Sequence, residues 1–315
     1  MRALIYDGQL RIEQDQPTPS PENDQALLKI RQAGICNTDL ELVRGYKSFS
    51  GILGHEFVAE VVQGPVEWVG KRVVGEINVA CGECEFCKRD IPSHCSNRSA
   101  VGIFGHSGAF ADYLALTTKN LHFVPDNVSD DAAVFVEPLA AALQVIESTH
   151  ISPRNRVIII GAGKLGLLTA QVVRLTGADV LVIARREKQQ QLLEQWGIPA
   201  VKRGDLADNM ADVVVDCTGT EQGFADALNL VKARGTIILK STYADIPQAD
   251  LIRVVVNEIR VIGSRCGSFG AALRLLSANL IDTESLIEAR YSIDQGLEAM
   301  HHSSKSGVLK VLLDL

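Results

Sequence analysis

The chain has 315 residues, more than one domain of ordinary size holds, so two domains are expected, each able to bury its own core. Hydrophobic residues make up 46% and charged residues 22%, with no long polar tract, which excludes a disordered or fibrous protein. The net charge of -7 excludes the basic face with which a nucleic-acid binder neutralises phosphates, and points to a small-molecule partner instead.

In chain order, the first residues, Met1 to Asp7, meet a charge at once and contain no apolar core of signal-peptide length, so no export is expected. Residues 26–35, 57–62 and 109–116 are short alternating or β-branched runs punctuated by Gly and Pro, which predicts a β-rich domain over roughly the first 125 residues. Near Ser129 the texture changes to one helix-like segment through Ala141 and Ile146. This most apolar region, 132–146, is interrupted by Glu137 and Pro138 and falls short of the roughly 18 residues of a membrane span. No membrane association and a cytoplasmic location are therefore expected. Strand-like runs follow at 157–160, 180–183, 213–215, 236–239 and 259–262, with helical patterns between most of them, for example at 164–175 and 221–231. Such alternation predicts a doubly wound parallel sheet. After Gly267 come another helix and a last strand-like run at 307–313, with no internal repeat.

Three groups of residues carry chemistry. The segments Gly34-Ile-Cys36-Asn-Thr38-Asp39 and Gly54-His55-Glu56 supply a thiolate, an imidazole and a carboxylate, a mixed set that suits a zinc ion with an open position. Taken alone, Cys36 reads more readily as a core thiol and His55 as a satisfied core histidine. The second group is Cys81-Gly-Glu-Cys84-Glu-Phe-Cys87 with Cys95, spaced by two, two and seven residues. Four thiolates from one short loop fit a closed, structural zinc site better than free cysteines or an iron–sulfur centre, because the polar loop offers no apolar core. Such crowding also argues for metal ligation over disulfides in a reducing compartment.

The third group is Gly161-Ala-Gly163-Lys164-Leu165-Gly166, which follows a strand and opens a helix, so its glycines can admit a pyrophosphate to the helix N-terminus. At the end of the next strand, where NAD-specific sites carry an acid for the ribose hydroxyls, the chain reads Ala184-Arg185-Arg186. With no carboxylate to repel a 2′-phosphate and two guanidiniums to bind one, NADP is the expected cofactor, with NAD possible. The alternative is that both arginines are solvated charges at a helix start. Asp216-Cys-Thr218-Gly219 closes a further strand.

These segments, in this order and over essentially the whole chain, resemble the zinc-containing medium-chain alcohol dehydrogenase superfamily. The chain is most similar to the sorbitol, threonine and glucose dehydrogenase branch, because Val136-Glu137-Pro138-Leu139 stands where classical alcohol dehydrogenases carry a third catalytic cysteine. The resemblance implies an α/β protein: a Rossmann doubly wound domain over residues 137–267, and a β-rich GroES-like catalytic domain made of residues 1–136 and 268–315. It implies a catalytic zinc held by Cys36, His55 and a glutamate, with both Glu56 and Glu137 as candidates, directly or through water. Otherwise Glu137 is a helix-start charge and Glu56, like Asp39, an outer partner of the ligands. Thr38 takes the place of the family's proton-relaying hydroxyl, or else caps a helix. Glu41 departs from the relay histidine that many members carry. Asp216 and Thr218 would line the cofactor cleft, or Asp216 would serve only a strand-end turn. The resemblance further implies two zinc ions per chain, a homodimer or homotetramer paired through residues 258–264, and hydride transfer between NADP(H) and a secondary alcohol, polyol or sugar. The competing readings are a non-catalytic zinc- and dinucleotide-binding redox sensor or structural protein, and a zinc-free quinone reductase, which would need neither metal cluster.

Overall fold

The computed structural model of the chain describes residues 1–22, 24–243 and 248–315. It divides into two compact units, Met1–Glu137 with Phe269–Leu315, and Pro138–Ser268. Among the described residues no helix is long and apolar enough to cross a membrane.

The first unit is built on a seven-stranded sheet. Its path runs Leu121–Phe123, Arg72–Gly75, Glu56–Gln63, Gln25–Gly34, Lys310–Asp314 and Ile287–Ser292, and Tyr113–Thr117 also pairs with Gln25–Gly34. Leu28, Ile30, Ala33, Val61, Leu114 and Leu116 point into one core with Leu4, Leu53 and Phe110. Burial of a side chain of this size stabilises the unit by roughly 1.5–3 kcal/mol. Register then places the chemistry. Gly34 lies opposite Glu56 on one side and opposite Leu312 on the other, and the Ile35 N–H donates to the Val311 carbonyl at 3.0 Å. Cys36, His55, Glu56 and Lys310 are thereby delivered to one end of three adjacent strands. Gly34 has to be glycine there, because a Cβ would lie 2.7 Å from both Glu56 Oε2 and Val134 Cγ1.

The second unit is a six-stranded parallel sheet in the order Ala200–Val201, Asp179–Ile183, Arg156–Ile160, Ala211–Asp216, Val231–Leu239 and Arg260–Gly263. Numbered along the chain this is 3-2-1-4-5-6, the order of a dinucleotide-binding doubly wound sheet. Ile158, Val214 and Ile237 are fully buried. Such strands read as continuous apolar runs because helices cover both faces. The intervening helices include Lys164–Arg174, Glu187–Gln195 and Glu221–Leu230.

The structure departs from the sequence reading in places with identifiable causes. The helical stretch after Ser129 is two helices, Asp130–Val134 and Val136–Ser148, the first capped by Ser129 Oγ, which accepts from the Ala132 N–H at 3.2 Å. Pro138 has no N–H to give the Val134 carbonyl, so the two cannot run as one. Ala200–Val201 is too short to show a period, and Ile287–Ser292 and the helix Gly296–Ser303 were not foreseen.

Candidate metal and cofactor sites

The ligand atoms of Cys36, His55 and Glu56 all lie within 4.8 Å of one another. Cys36 is half-buried and sits at the N-cap of the helix Asn37–Val43, while His55 and Glu56 are 3% and 1% exposed. The two segments are tied by Asp39, which is fully buried. One of its oxygens accepts the Cys36 N–H at 2.8 Å, and the other accepts the Gly54 N–H at 3.3 Å and lies 3.2 Å from His55 Nδ1. That last contact is not aligned as a hydrogen bond, so the imidazole is oriented by charge and packing. Burial alone would push the His55 imidazolium down, but the charges of Asp39 and Cys36 outweigh it and hold the group well above its usual range. A thiolate, an imidazole and a carboxylate converging in this way fit a zinc ion, with Asp39 behind the histidine.

Thr38 lies inside the helix and does not cap it; its Oγ1 is 3.7 Å from Cys36 Sγ. Glu41, on the same helix, is paired with Arg44 at 2.6 Å. Glu137, half-buried, is not part of the group whose atoms all fall within 4.8 Å, although its charge reaches the neighbouring Lys310.

Lys310 is a residue of this cluster's surroundings that sequence reasoning missed. Its ammonium donates to Glu56 Oε2 in an ion pair whose members are each 1% exposed, and it lies 5.7 Å from the centre of the Phe135 ring. Burial would lower the Lys310 pKa, yet the charges of Glu56 and Cys36, with Glu137 beyond them, raise it. Lys310 stands in the run Val-Leu-Lys-Val-Leu-Leu, where a lone lysine reads as an exposed edge residue. The only sequence signal was the glycine at 34, which leaves room for the pair.

Cys81, Cys84, Cys87 and Cys95 also converge, with all four ligand atoms within 4.8 Å and two Sγ pairs, Cys84–Cys87 and Cys81–Cys95, at 3.5 Å. These are free thiols, not disulfides. A tetrahedron with Zn–S bonds of about 2.3 Å has edges of about 3.8 Å, close to these separations. Backbone N–H groups of Cys87 and Ser96 bring the Cys84 thiol down to about 6, whereas burial and Cys84 itself push Cys87 up to about 12. One thiolate is thus favoured even before a metal draws off the remaining protons.

In the second unit the three glycines of the turn are needed for three reasons. Gly161 has φ of 98°, in the left-handed region. Gly163, the N-cap of Lys164–Arg174, faces open space, and a Cβ there would meet nothing within 4 Å. At Gly166 a Cβ would collide with the Gly161 carbonyl oxygen. Tight turn, open approach and close packing are the roles that a pyrophosphate-binding turn demands. Lys164 and Leu165 form the start of the helix, Leu165 half-buried. Ala184 is buried just beyond Asp179–Ile183; Arg185 and Arg186 are exposed, the latter at the N-cap of Glu187–Gln195.

Asp216 is 1% exposed, its oxygens accepting from the Thr218 N–H at 2.8 Å, Thr218 Oγ1 at 2.7 Å and the Tyr243 hydroxyl at 2.6 Å. The carboxylate faces inward and fixes the strand-end turn. Burial together with Asp216 raises the Tyr243 phenol. Nothing in the sequence marked Tyr243 as its partner.

The chain is similar to known proteins over nearly its whole length. The alcohol dehydrogenase GroES-like domain model matches residues 22–126, and the zinc-binding dehydrogenase model matches residues 165–278. The L-threonine 3-dehydrogenase of Shewanella pealeana is 30% identical over 95% of this chain and 95% of its own length. The sorbitol dehydrogenase of Halalkalibacterium halodurans is 29% identical over 95% of this chain and 94% of its own. A protein of Sinorhizobium meliloti 1021, described as a zinc-binding dehydrogenase bound to NADP, superposes with a TM-score of 0.92 at 28% identity, over 100% of this chain and 99% of that one. The chain belongs to the zinc-containing medium-chain alcohol dehydrogenase superfamily. Within it, the protein is an NAD(P)-dependent alcohol dehydrogenase with a GroES-like and a Rossmann-type part.

Proposed function

We propose that this enzyme transfers a hydride between NADP(H) and a secondary alcohol, polyol or sugar and the corresponding carbonyl compound. The observation that carries this reading is the convergence of Cys36, His55 and Glu56 within 4.8 Å, braced by the buried Asp39. Cys36 and His55 would hold the catalytic zinc together with Glu56 or Glu137, and Cys81, Cys84, Cys87 and Cys95 a structural one, two ions per chain. When bound, the catalytic ion supplies Lewis acidity toward the substrate oxygen, and the nicotinamide exchanges the hydride.

The chain's own residues do the rest. Asp39 orients His55 and pins the Cys36 backbone. Lys310 holds Glu56 in a buried ion pair, so that this carboxylate, were it the third ligand, would be shared between the ammonium and the ion. Thr38, beside Cys36, would take the alcohol proton on its hydroxyl as it passes its own proton on to solvent, because Glu41, which stands in place of a relay histidine, is paired with Arg44. Residues 1–136 and 268–315 would form the catalytic domain and residues 137–267 the cofactor domain. The substrate class is supported by the sorbitol dehydrogenase of H. halodurans and by a D-arabinitol dehydrogenase of Uromyces fabae, 28% identical over 93% of this chain. NADP is supported by Arg185 and Arg186 and by the cofactor of the S. meliloti protein.

A second copy of the chain is the proposed partner. Arg260–Gly263 is the terminal strand of its sheet, and the adjacent helix Leu251–Val256 exposes Leu251, Ile252, Val255 and Val256 by 65–78%. An open strand edge beside an apolar patch suits a two-fold, self-complementary contact, hence a homodimer or a homotetramer. Seven cysteines with no disulfide fit a reducing compartment such as the cytoplasm.

The test of the cofactor assignment is affinity for NADPH and NADH in wild type and in the double variant Arg185→Ala/Arg186→Ala. The wild type is expected to prefer NADPH, and the variant to lose about tenfold or more for NADPH while keeping its affinity for NADH. A wild type that prefers NADH refutes the assignment.

A further inference from the structure

In a doubly wound sheet the ligand lies across the carboxyl ends of the strands, one mononucleotide on each half. The glycine turn assigns the half made of Arg156–Ile160, Asp179–Ile183 and Ala200–Val201 to the adenosine side. The half made of Ala211–Asp216, Val231–Leu239 and Arg260–Gly263 is left for the nicotinamide side.

Lys240 is the first residue beyond Val231–Leu239, at that carboxyl edge. It is 7% exposed. Its N–H donates to the Asp216 carbonyl at 2.9 Å, and its ammonium donates to the Ser264 carbonyl at 3.2 Å, Ser264 Oγ at 3.3 Å and the Arg265 carbonyl at 2.6 Å. The Ser264 N–H in turn donates to the Leu239 carbonyl at 3.0 Å. A few residues on, a Cβ at Gly267 would collide with the Ala140 carbonyl oxygen, so the backbone there is packed hard against the helix Val136–Ser148. Residues 264–267 are therefore a stretch of irregular backbone fixed at both ends, at the edge where a ligand binds. Burying an ammonium is a costly way to join neutral carbonyls, because the charge gives up its water. It is also a rigid one, and preorganised peptide groups are what an amide-bearing ligand needs.

We propose that Lys240 is a positioning residue for the nicotinamide half of the cofactor. By gripping the carbonyls of Ser264 and Arg265 it sets the orientation of the peptide groups of residues 264–267, which face the nicotinamide and its amide. Lys240 itself does not touch the cofactor, since its ammonium is turned into the protein. The inference rests on the cofactor site proposed above.

The test compares two ligands that differ only by the nicotinamide riboside end: NADPH and 2′-phospho-ADP-ribose, with NADH and ADP-ribose as the second pair. Lys240→Met is expected to weaken the intact dinucleotide about tenfold and the fragment by less than about twofold, the loss of one or two oriented hydrogen bonds. Lys240→Gln, which keeps a neutral donor, is expected to give an intermediate loss confined to the dinucleotide, and carries the test should the methionine variant not fold. Equal weakening of dinucleotide and fragment, or no change in either, overturns the assignment of Lys240. A wild type that binds neither dinucleotide refutes the cofactor site itself, a different failure.

Discussion

At the scale of single residues, the pair Lys310 and Glu56 braces the cluster of Cys36, His55 and Glu56. Both are 1% exposed, so neither charge has water to fall back on. Lys310→Met leaves Glu56 buried and uncompensated and is expected to destabilise the fold by about 3–5 kcal/mol in chemical denaturation. The double variant Lys310→Met/Glu56→Gln should recover most of that loss, because it removes both charges together. The pH dependence follows from the raised Lys310 pKa. Its folded-state value lies above the ordinary 10.5, so the stabilisation is fully present below that pH and is lost as pH rises through the folded value. Wild type should thus lose more stability than the double variant in strongly alkaline solution; parallel losses would contradict the role given to the pair.

At the scale of elements, the glycine turn separates folding from binding. Gly166→Ala drives a Cβ into the Gly161 carbonyl oxygen and should both destabilise the second unit and abolish cofactor binding. Gly163→Ala meets nothing within 4 Å and should keep its melting temperature, yet bind NADPH at least about tenfold more weakly, because its methyl occupies the space offered to a phosphate. Thermal melts and cofactor titrations on both variants check this. The turn was legible because its constraints are local: strand, glycines and helix follow one another within a dozen residues. The convergence of the four cysteines was legible for the same reason, as their thiols come from one short segment. Lys310 and Tyr243 were not, because each acquires its meaning from a partner far away in sequence, Glu56 for one and Asp216 for the other. Asp39 lay between these cases. Its place near Cys36 could be read, but its grip on Gly54 depends on how two strands pair.

At the scale of the whole molecule, the order of segments along the chain specified the alternation of elements and the parallel sheet, since apolar runs and glycine turns persist across that region. A last strand near 307–313, returning to the first domain, could be expected, but not the pairing of Lys310–Asp314 beside Gly34 that completes the sheet carrying Cys36, His55 and Glu56. Assembly is tested at this scale too. Ile252→Glu with Val255→Glu places two charges on the exposed apolar helix face and is expected to reduce the solution mass, by light scattering, to that of one 315-residue chain. An unchanged mass would show that this face is not the contact between copies. The most direct test of the chemistry is the NADPH absorbance of zinc-replete protein mixed with a panel of ketoses and other ketones. Turnover of at least one member, lost in His55→Ala, is the expected result. Protein that holds two zinc ions and binds NADPH but oxidises none of it with any member would contradict hydride transfer at the Cys36 and His55 site.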